Sequence, residues 1–194
     1  IVTTDFLNAF AADFGVKIYD KLLIGFKYIG ELIKNMEGKE EFIFGGEESH
    51  GILKGTYTRD KDAAVAALLI AELASTLKDQ GKTLLDQLDE LYQQYGLFIE
   101  KLHTITCEGA AGATTMQSIM TKLRTTPPQK IGDYTVIKMI DRQTSAEGTK
   151  GDVLIFSLSD DRRTRVTVRP SGTEPKLKIY TQYWAPFTTT DLPT

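Results

Sequence analysis

The spacing of apolar residues changes near Gly96, and this change constrains the fold of the 194-residue chain more than any other feature. Before it, short β-branched runs at 1–4, 16–22 and 41–46 alternate with segments of helical periodicity. After it, strand-like runs follow one another with short polar turns between them. Alternating strands and helices are typical of a parallel sheet with right-handed crossovers, whereas consecutive strands are typical of an antiparallel sheet.

The sequence therefore predicts an α/β chain with two domains. We expect a parallel-sheet αβα domain at 1–96 and an α+β domain at 97–184, in which a helix packs on an antiparallel sheet. The Ala-rich segment 60–78 is predicted to be a helix that is buried on more than one side. The Thr/Pro-rich tail at 185–194 is expected to be loosely held.

Composition favours a soluble globular protein. The net charge of −3 gives no reason to expect nucleic acid or an anionic membrane as a partner. The longest apolar run, at 63–71, is too short to span a bilayer. The single cysteine, Cys107, cannot form an internal disulfide and is expected to be a core residue, which fits a cytoplasmic location.

One polar loop follows a predicted strand in the segment FIFGGEESHGILKG. Ligands of parallel sheets bind at the carboxyl ends of strands, where this loop lies. Glu47 offers an acceptor for sugar-like hydroxyls, and Ser49 can donate or accept. With no second histidine or cysteine beside His50, the set indicates a polyol-binding edge rather than a metal site. A plain surface loop remains the alternative.

A second polar loop interrupts two alternating runs in RTRVTVRPSGTEPKLKIY. The loop contains a planar arginine fork, hydroxyl groups and the amides of a turn, all of which can bind phosphate. Up to three cations are expected around one anion position. The alternative is a solvated hairpin turn in which proline and glycine serve geometry alone. The anion-binding groups are Arg169, Ser171, Gly172, Thr173, Lys176 and Lys178.

Arginines before this loop raise the possibility of nucleic-acid binding. Arg162, Arg163 and Arg165 lie close together, but Asp160 and Asp161 precede them and offset their charge. No interleaved aromatic platform accompanies them. A solvated strand edge is the better interpretation, and no nucleic-acid partner is expected.

Both loops match a known family. GEESHG at 46–51 resembles the sugar-binding loop of the α-D-phosphohexomutases, the phosphoglucomutase and phosphomannomutase family. RPSGTEPK at 169–176 resembles that family's phosphate-binding loop, and GFKYIG and TRDKDA resemble further family segments in the right order. The resemblance extends to about Trp184. Because the chain begins without a methionine, we expect it to be the C-terminal portion of a four-domain protein, namely part of the third domain plus the fourth.

The resemblance also implies roles for individual residues. Lys27 matches a catalytic lysine near the reacting region, and Glu47 and Ser49 match residues that bind the hexose 3- and 4-hydroxyls. No metal ligand is assigned. The positions that match phosphate-binding residues are Arg169, Ser171, Gly172, Thr173 and Lys178.

The implied activity is that of an intramolecular phosphotransferase. Such an enzyme interconverts hexose 1-phosphate and hexose 6-phosphate through a bisphosphorylated intermediate, with a phosphoserine, Mg²⁺ and a glucose 1,6-bisphosphate-type activator. Neither the phosphoserine segment nor the Asp-rich metal loop has a candidate in this chain. We therefore expect the chain alone to be inactive, with hexose phosphate and the N-terminal domains as its partners.

Several alternatives stay open. A non-catalytic phosphosugar-binding or regulatory module would carry the same two loops. The GEESHG form favours glucose phosphate as the substrate, with mannose phosphate or pentose phosphate as the alternatives. His50 follows Ser49 directly, whereas other members place glycine between them, so His50 receives no role. The chain also ends sooner after its last predicted strand than many family members do, so a final C-terminal helix is not assigned.

Overall fold

The computed structural model divides into two compact units, Ile1–Leu97 and Phe98–Ala185, with residues 186–188 grouped with the first. No helix in the described part of the chain is both long enough and apolar enough to cross a membrane. Of the predicted tail, 189–194 lie outside the described residues. The structure describes residues 1–109, 111–172 and 174–188.

The first unit is mainly helical. Its elements are α1 (Phe6–Asp13), α2 (Phe26–Met36), β1 (Phe44–Glu47), β2 (Gly51–Lys54), α3 (Ala63–Asp79) and α4 (Leu84–Tyr95). The second unit is mainly β. Its elements are β3 (Leu97–Thr106), α5 (Gly112–Thr125), β4 (Lys130–Ile131), β5 (Tyr134–Thr135), β6 (Lys138–Asp141), β7 (Leu154–Ser157), β8 (Arg165–Pro170) and β9 (Lys176–Ala185).

A small apolar core holds the first unit together. Phe26, Ile29 and Ile33 recur with helical spacing on α2 and pack with Leu53 of β2. Gly30 lies on the same helix, where a Cβ would stand 2.5 Å from the carbonyl oxygen of Arg59. At this position α2 approaches the loop after β2 so closely that only glycine fits without a shift of the backbone.

The parallel sheet predicted for the first unit is not confirmed. Segments 1–4 and 16–22 do not form strands, and β1 pairs antiparallel with β2. A β-branched run forms a strand only where a neighbour supplies its hydrogen bonds, and the chain reverses directly after β1. His50 lies in that reversal with φ of 66°, a left-handed conformation that non-glycine residues rarely adopt.

The predicted helix at 60–78 forms as α3, but its burial was wrongly predicted. Asp62 caps its N-terminus by accepting the N–H of Ala64 at 2.7 Å. Leu77 is the one buried residue of α3, whereas Leu68 is 66% and Ile70 50% exposed. The helix contacts β2 and α4, so one stripe is covered and the rest faces solvent.

The second unit has the predicted α+β arrangement. Its five-stranded sheet has the order β3-β9-β8-β7-β6, with antiparallel pairing from β6 to β9. Met120 of α5 packs against one face of the sheet, on Leu154, Phe156, Val168 and Leu177. The apolar run at 133–140 is divided between β5 and β6. This rigid sheet carries the second polar loop between its strands β8 and β9.

Candidate functional site

The predicted phosphate loop lies between two paired strands, which fixes its ends. Arg169 of β8 and Lys178 of β9 are opposite each other in the antiparallel register, so their side chains leave the same face of the sheet. The N–H of Ser171 donates to the carbonyl oxygen of Lys176 at 2.7 Å and closes the turn. Gly172 is exposed at its tip, and Thr173 lies outside the described residues.

Arg169 has an unusual electrostatic position. Its Nε atom is buried and has no hydrogen-bond partner among the residues that the structure describes. A buried donor without an acceptor costs free energy, and a charged guanidinium costs more than a neutral group. An anion placed between Arg169 and Lys178 would supply an acceptor and balance both charges.

The third predicted cation is already paired. Lys176 Nζ lies 2.6 Å from Glu174 Oε1, and this hydrogen bond lowers the pKa of the Glu174 carboxyl. The loop therefore offers Arg169 and Lys178 to an anion more readily than Lys176. Beyond it, the carbonyl of Pro175 accepts the N–H of Cys107 at 2.8 Å, which anchors the start of β9.

The predicted sugar loop spans the reversal between β1 and β2. Glu47 ends β1 and is half-buried, while Ser49 and His50 are exposed in the turn. One oxygen of Glu47, Oε1, accepts the backbone N–H of Gly25 at 2.6 Å. Its other oxygen lies 3.0 Å from where a Cβ at Gly51 would stand, so a side chain at residue 51 would crowd the carboxylate.

Lys27 is brought to the same region as Glu47. It is exposed in the first turn of α2, two residues after the Gly25 amide that Glu47 binds. Its ammonium lies 4.9 Å from the ring centroid of Tyr28, which is a cation–π distance. The sequence did not reveal this contact between the two segments. Gly25 caps the N-terminus of α2 with φ of 125°, a conformation that favours glycine.

The described residues do not fit a metal ion. Within 1–109, 111–172 and 174–188 there is no group of three or more His, Cys, Asp or Glu side chains that could hold one. Hard divalent cations such as Mg²⁺ require several oxygen ligands.

Comparison with known proteins agrees with the family resemblance predicted from the sequence. Residues 1–95 match the domain family described as phosphoglucomutase/phosphomannomutase, alpha/beta/alpha domain III. A phosphoglucomutase of Staphylococcus aureus strain N315 is 35% identical over 196 residues, which cover 96% of this chain and 35% of that protein. The chain is thus similar to the phosphoglucomutase/phosphomannomutase family. The phosphoglucomutase of strain MRSA252 is 38% identical over 178 residues, or 87% of this chain and 32% of the relative.

A solved structure shows that the family fold is present. The open form of the Paramecium phosphoprotein pp63/parafusin superposes with a TM-score of 0.68 at 22% identity, and the match covers 98% of this chain and 33% of that one. The chain thus spans about a third of the length of its relatives. Its first 95 residues correspond to domain III, and the predicted resemblance to the phosphohexomutases is confirmed by the three comparisons together.

Proposed function

We propose that the whole protein is a phosphohexomutase, and that this chain supplies its sugar-reading loop and its phosphate-holding loop. The enzyme would interconvert hexose 1-phosphate and hexose 6-phosphate. The observation that carries the proposal is the pair formed by Arg169 and Lys178, which lie opposite each other on β8 and β9. The Nε atom of Arg169 is buried and has no hydrogen-bond partner among the described residues.

The second unit would hold the phosphate that is not reacting. Arg169 presents a planar fork suited to two phosphate oxygens, and Lys178 adds a point charge. Ser171, Gly172 and Thr173 would contribute hydroxyl and amide donors. Because β8 and β9 hold both ends of the loop, little conformational entropy is lost when the anion binds.

The first unit would read the sugar. Glu47 Oε2 and the exposed Ser49 hydroxyl are available for neighbouring hydroxyls of a hexose, while Oε1 stays on the Gly25 amide. Lys27 would act near the reacting phosphoryl group as a cation that stabilises developing charge. The Glu47–Gly25 bond supports this proposal because it keeps both segments together.

The remaining steps belong to the whole protein. We infer a bisphosphorylated intermediate, a phosphoserine donor, a glucose 1,6-bisphosphate-type activator and Mg²⁺ held by residues outside this chain, in a cytoplasmic enzyme with domain limits at 96 and 184. The parallel sheet of the first domain is part of the same proposal. Its support is that the amino group of Ile1 donates to the Leu22 carbonyl at 3.1 Å and Lys17 pairs with Glu40 at 2.7 Å, so that these contacts connect the segments predicted as strands.

Kinetics of the longer protein test the phosphate loop. Arg169→Ala removes a charged hydrogen bond worth about 1.5–3 kcal/mol, so kcat/KM for glucose 1-phosphate should fall roughly tenfold to a hundredfold. Lys122→Ala removes one exposed positive charge from α5 and should leave kcat/KM unchanged. Equal kinetics in wild type and Arg169→Ala would refute the assignment of the loop.

The chain alone provides a second test. In a coupled assay it should show no mutase activity, because the proposed phosphoserine and metal loop lie elsewhere. Turnover by the chain alone would overturn that division of labour. Binding of glucose 1-phosphate by the longer protein without turnover would instead identify a non-catalytic phosphosugar-binding module.

A further inference from the structure

The strand β3 forms a long edge of the sheet in the second unit and carries exposed apolar side chains. The strand order β3-β9-β8-β7-β6 puts β3 at one end, so β9 is its one neighbouring strand in the described part of the chain. The last eight residues of β3 are all exposed, and three of them are large and apolar. These are Ile99 (51% exposed), Leu102 (47%) and Ile105 (46%). Native proteins usually protect such an edge with charges, bulges or a cover.

Two contacts show how β3 lies beside β9. The N–H of Cys107 donates to the Pro175 carbonyl oxygen at 2.8 Å. The hydroxyl of Thr181 donates to the Lys101 carbonyl oxygen at 3.2 Å, so the two strands are antiparallel. Because hydrogen-bonded pairs alternate along an antiparallel ladder, the odd-numbered residues of β3 turn their N–H and C=O groups towards β9. The N–H and C=O of Leu102 therefore point away from the sheet.

The side chains of this edge leave the sheet on both faces. Thr181 is paired with a core residue of β8, so Thr181 and its neighbour Lys101 lie on the face that α5 covers. Alternation along the strand then puts Ile99 and Ile105 on that face and Leu102 on the opposite one. Both isoleucines are about half exposed, so α5 does not extend over them. The edge thus has apolar groups on either side of its backbone.

The order of these three residues makes the edge complementary to itself. Ile99 and Ile105 are each three positions from Leu102. When two copies of β3 pair antiparallel about a two-fold axis at Leu102, the two leucines are opposite each other and each Ile99 is opposite the Ile105 of the second copy. Every exposed large apolar side chain of the strand then meets another one. The leucine pair on the axis exchanges two backbone hydrogen bonds, because its N–H and C=O point outward.

Other registers of this pairing fit less well. Opposite residues share a face, so the axis must pass through a residue and not between two. An axis at Lys101 would put two ammonium groups opposite each other and Leu102 opposite Glu100. An axis at His103 would put Leu102 opposite Thr104. Like charges directly opposite are destabilising, and an apolar residue gains little from a polar partner. The sequence of β3 therefore favours the axis at Leu102.

We propose that β3 binds β3 of a second copy of this chain, in antiparallel register about Leu102, so that the two five-stranded sheets become one continuous sheet. The contact is isologous, so it closes on a dimer. A contact between two strands is small, in the range below roughly 1,200 Å² that is typical of weak and transient complexes, so the dimer should form at high protein concentration. The proposal depends on β3 and not on the function proposed for the phosphate loop.

Sedimentation equilibrium of the 194-residue chain, from micromolar to millimolar concentration, measures this association. The average mass should rise from that of one chain towards that of two and no further. Leu102→Lys puts two ammonium groups on the axis and should weaken dimerisation at least about tenfold. Leu85→Lys is the matched control, at a leucine of α4 that is 71% exposed, and it should dimerise like the wild type. Circular dichroism verifies that both variants are folded.

Cysteine variants test the register, and they do so even if Leu102→Lys fails to fold. All chains carry Cys107→Ala, which removes the native thiol, and Ile99→Cys chains are mixed with Ile105→Cys chains under dissolved oxygen. Residues opposite each other in a non-hydrogen-bonded pair have Cα atoms about 4.5 Å apart, within disulfide range. The mixture should therefore give a disulfide-linked dimer. Either variant alone should not, because its two cysteines would lie about 20 Å apart along the strands.

Four results would overturn the proposal. The mass of one chain at every concentration would show that β3 does not pair with itself. Equal weakening in Leu85→Lys and Leu102→Lys would mean non-specific association through exposed leucines. A mass that grows beyond two chains would mean an open assembly. Cross-linking of Ile99→Cys alone as fast as in the mixture would mean that the strands do not pair about Leu102.

Discussion

Glu47 accepts the backbone N–H of Gly25 at 2.6 Å, across 22 positions of the sequence. This bond joins the end of β1 to the start of α2, so the loop predicted to read a sugar and the segment that carries Lys27 are held as one surface. A carboxylate with one oxygen committed to the backbone keeps a fixed orientation and presents the other oxygen. Rigid placement of that kind is what selective recognition of hydroxyl groups requires.

Substitutions at Glu47 should show that its hydrogen bond to Gly25 also stabilises the first unit. Glu47→Ala removes a charged hydrogen bond and leaves the Gly25 N–H unpaired, so the first unit should lose about 1.5–3 kcal/mol of stability. Glu47→Gln retains an acceptor oxygen and should lose less. Urea unfolding followed by circular dichroism measures both. Glu48→Ala, at the exposed neighbour, is the control, and an equal loss there would contradict the prediction.

The two units differ in how much of their fold the sequence predicted. In the second unit, the pairing of β7, β8 and β9 and the burial of Met120 follow from period-2 and period-3.6 patterns whose partners lie within the same unit. In the first unit, segments 1–4 and 16–22 have strand-like composition but do not form strands here. Strand propensity depends on the neighbour that completes the ladder, and composition alone does not specify it.

The candidate site was predictable where the residues are local. Arg169 and Lys178 were expected beside one loop, and strand pairing puts them opposite each other. Their role as phosphate ligands stays a prediction. The Glu47–Gly25 bond was not predictable, because the tertiary fold creates it between distant segments. The Lys176–Glu174 pair is local, but residue spacing alone does not distinguish a paired lysine from one that binds an anion.

Breaking a largely buried ion network should destabilise the second unit. Arg124 of α5 donates to Asp141 at 2.9 Å and also pairs with Asp152, and its side chain is 18% exposed. Arg124→Ala leaves two carboxylates without their cation, and we expect a loss of about 2–4 kcal/mol. Fluorescence of Trp184, the single tryptophan, reports unfolding of this unit in urea. Lys122→Ala, exposed on the same helix, should change stability by less than about 0.5 kcal/mol.

The stability of the first turn of α4 should depend on pH. Thr83 and Asp86 form a capping box, and hydrogen bonds from the Thr83 side chain and backbone lower the pKa of the Asp86 carboxyl below its usual 3.8. A lowered folded-state pKa means that the contribution is present above the unfolded pKa and is lost as pH falls through the folded one. Thr83→Ala should cost about 1 kcal/mol at neutral pH.

Hydrogen exchange of the α4 amides measures this cap. The difference in protection between wild type and Asp86→Asn should be full at pH 6 and should shrink as pH falls below about 4, near the ordinary pKa of aspartate. Asp89→Asn, on the same helix outside the box, is the matched substitution. A difference that stays constant down to pH 2 would show that ionised Asp86 does not stabilise the helix.

Gly112, at the first position of α5, should tolerate no side chain. A Cβ there would lie 2.0 Å from the carbonyl oxygen of Cys107, far inside contact distance. A shift of that carbonyl would cost free energy, because the N–H of Cys107 donates a hydrogen bond to the Pro175 carbonyl oxygen at 2.8 Å. Gly112→Ala should therefore cost at least about 1–3 kcal/mol, the usual cost of overpacking, and should displace Pro175 at the end of the phosphate loop.

A second glycine makes this prediction specific. At Gly172, in the same loop, an added Cβ meets no described atom within 4 Å, and its φ is not positive, so Gly172→Ala should leave the unfolding midpoint of the second unit nearly unchanged. Trp184 fluorescence in urea gives the stability of both variants. NMR shifts at Ser171 and Lys176 report whether the loop has moved. Equal stability of the two variants would show that α5 can shift away from Cys107, in which case the helix does not fix the start of β9.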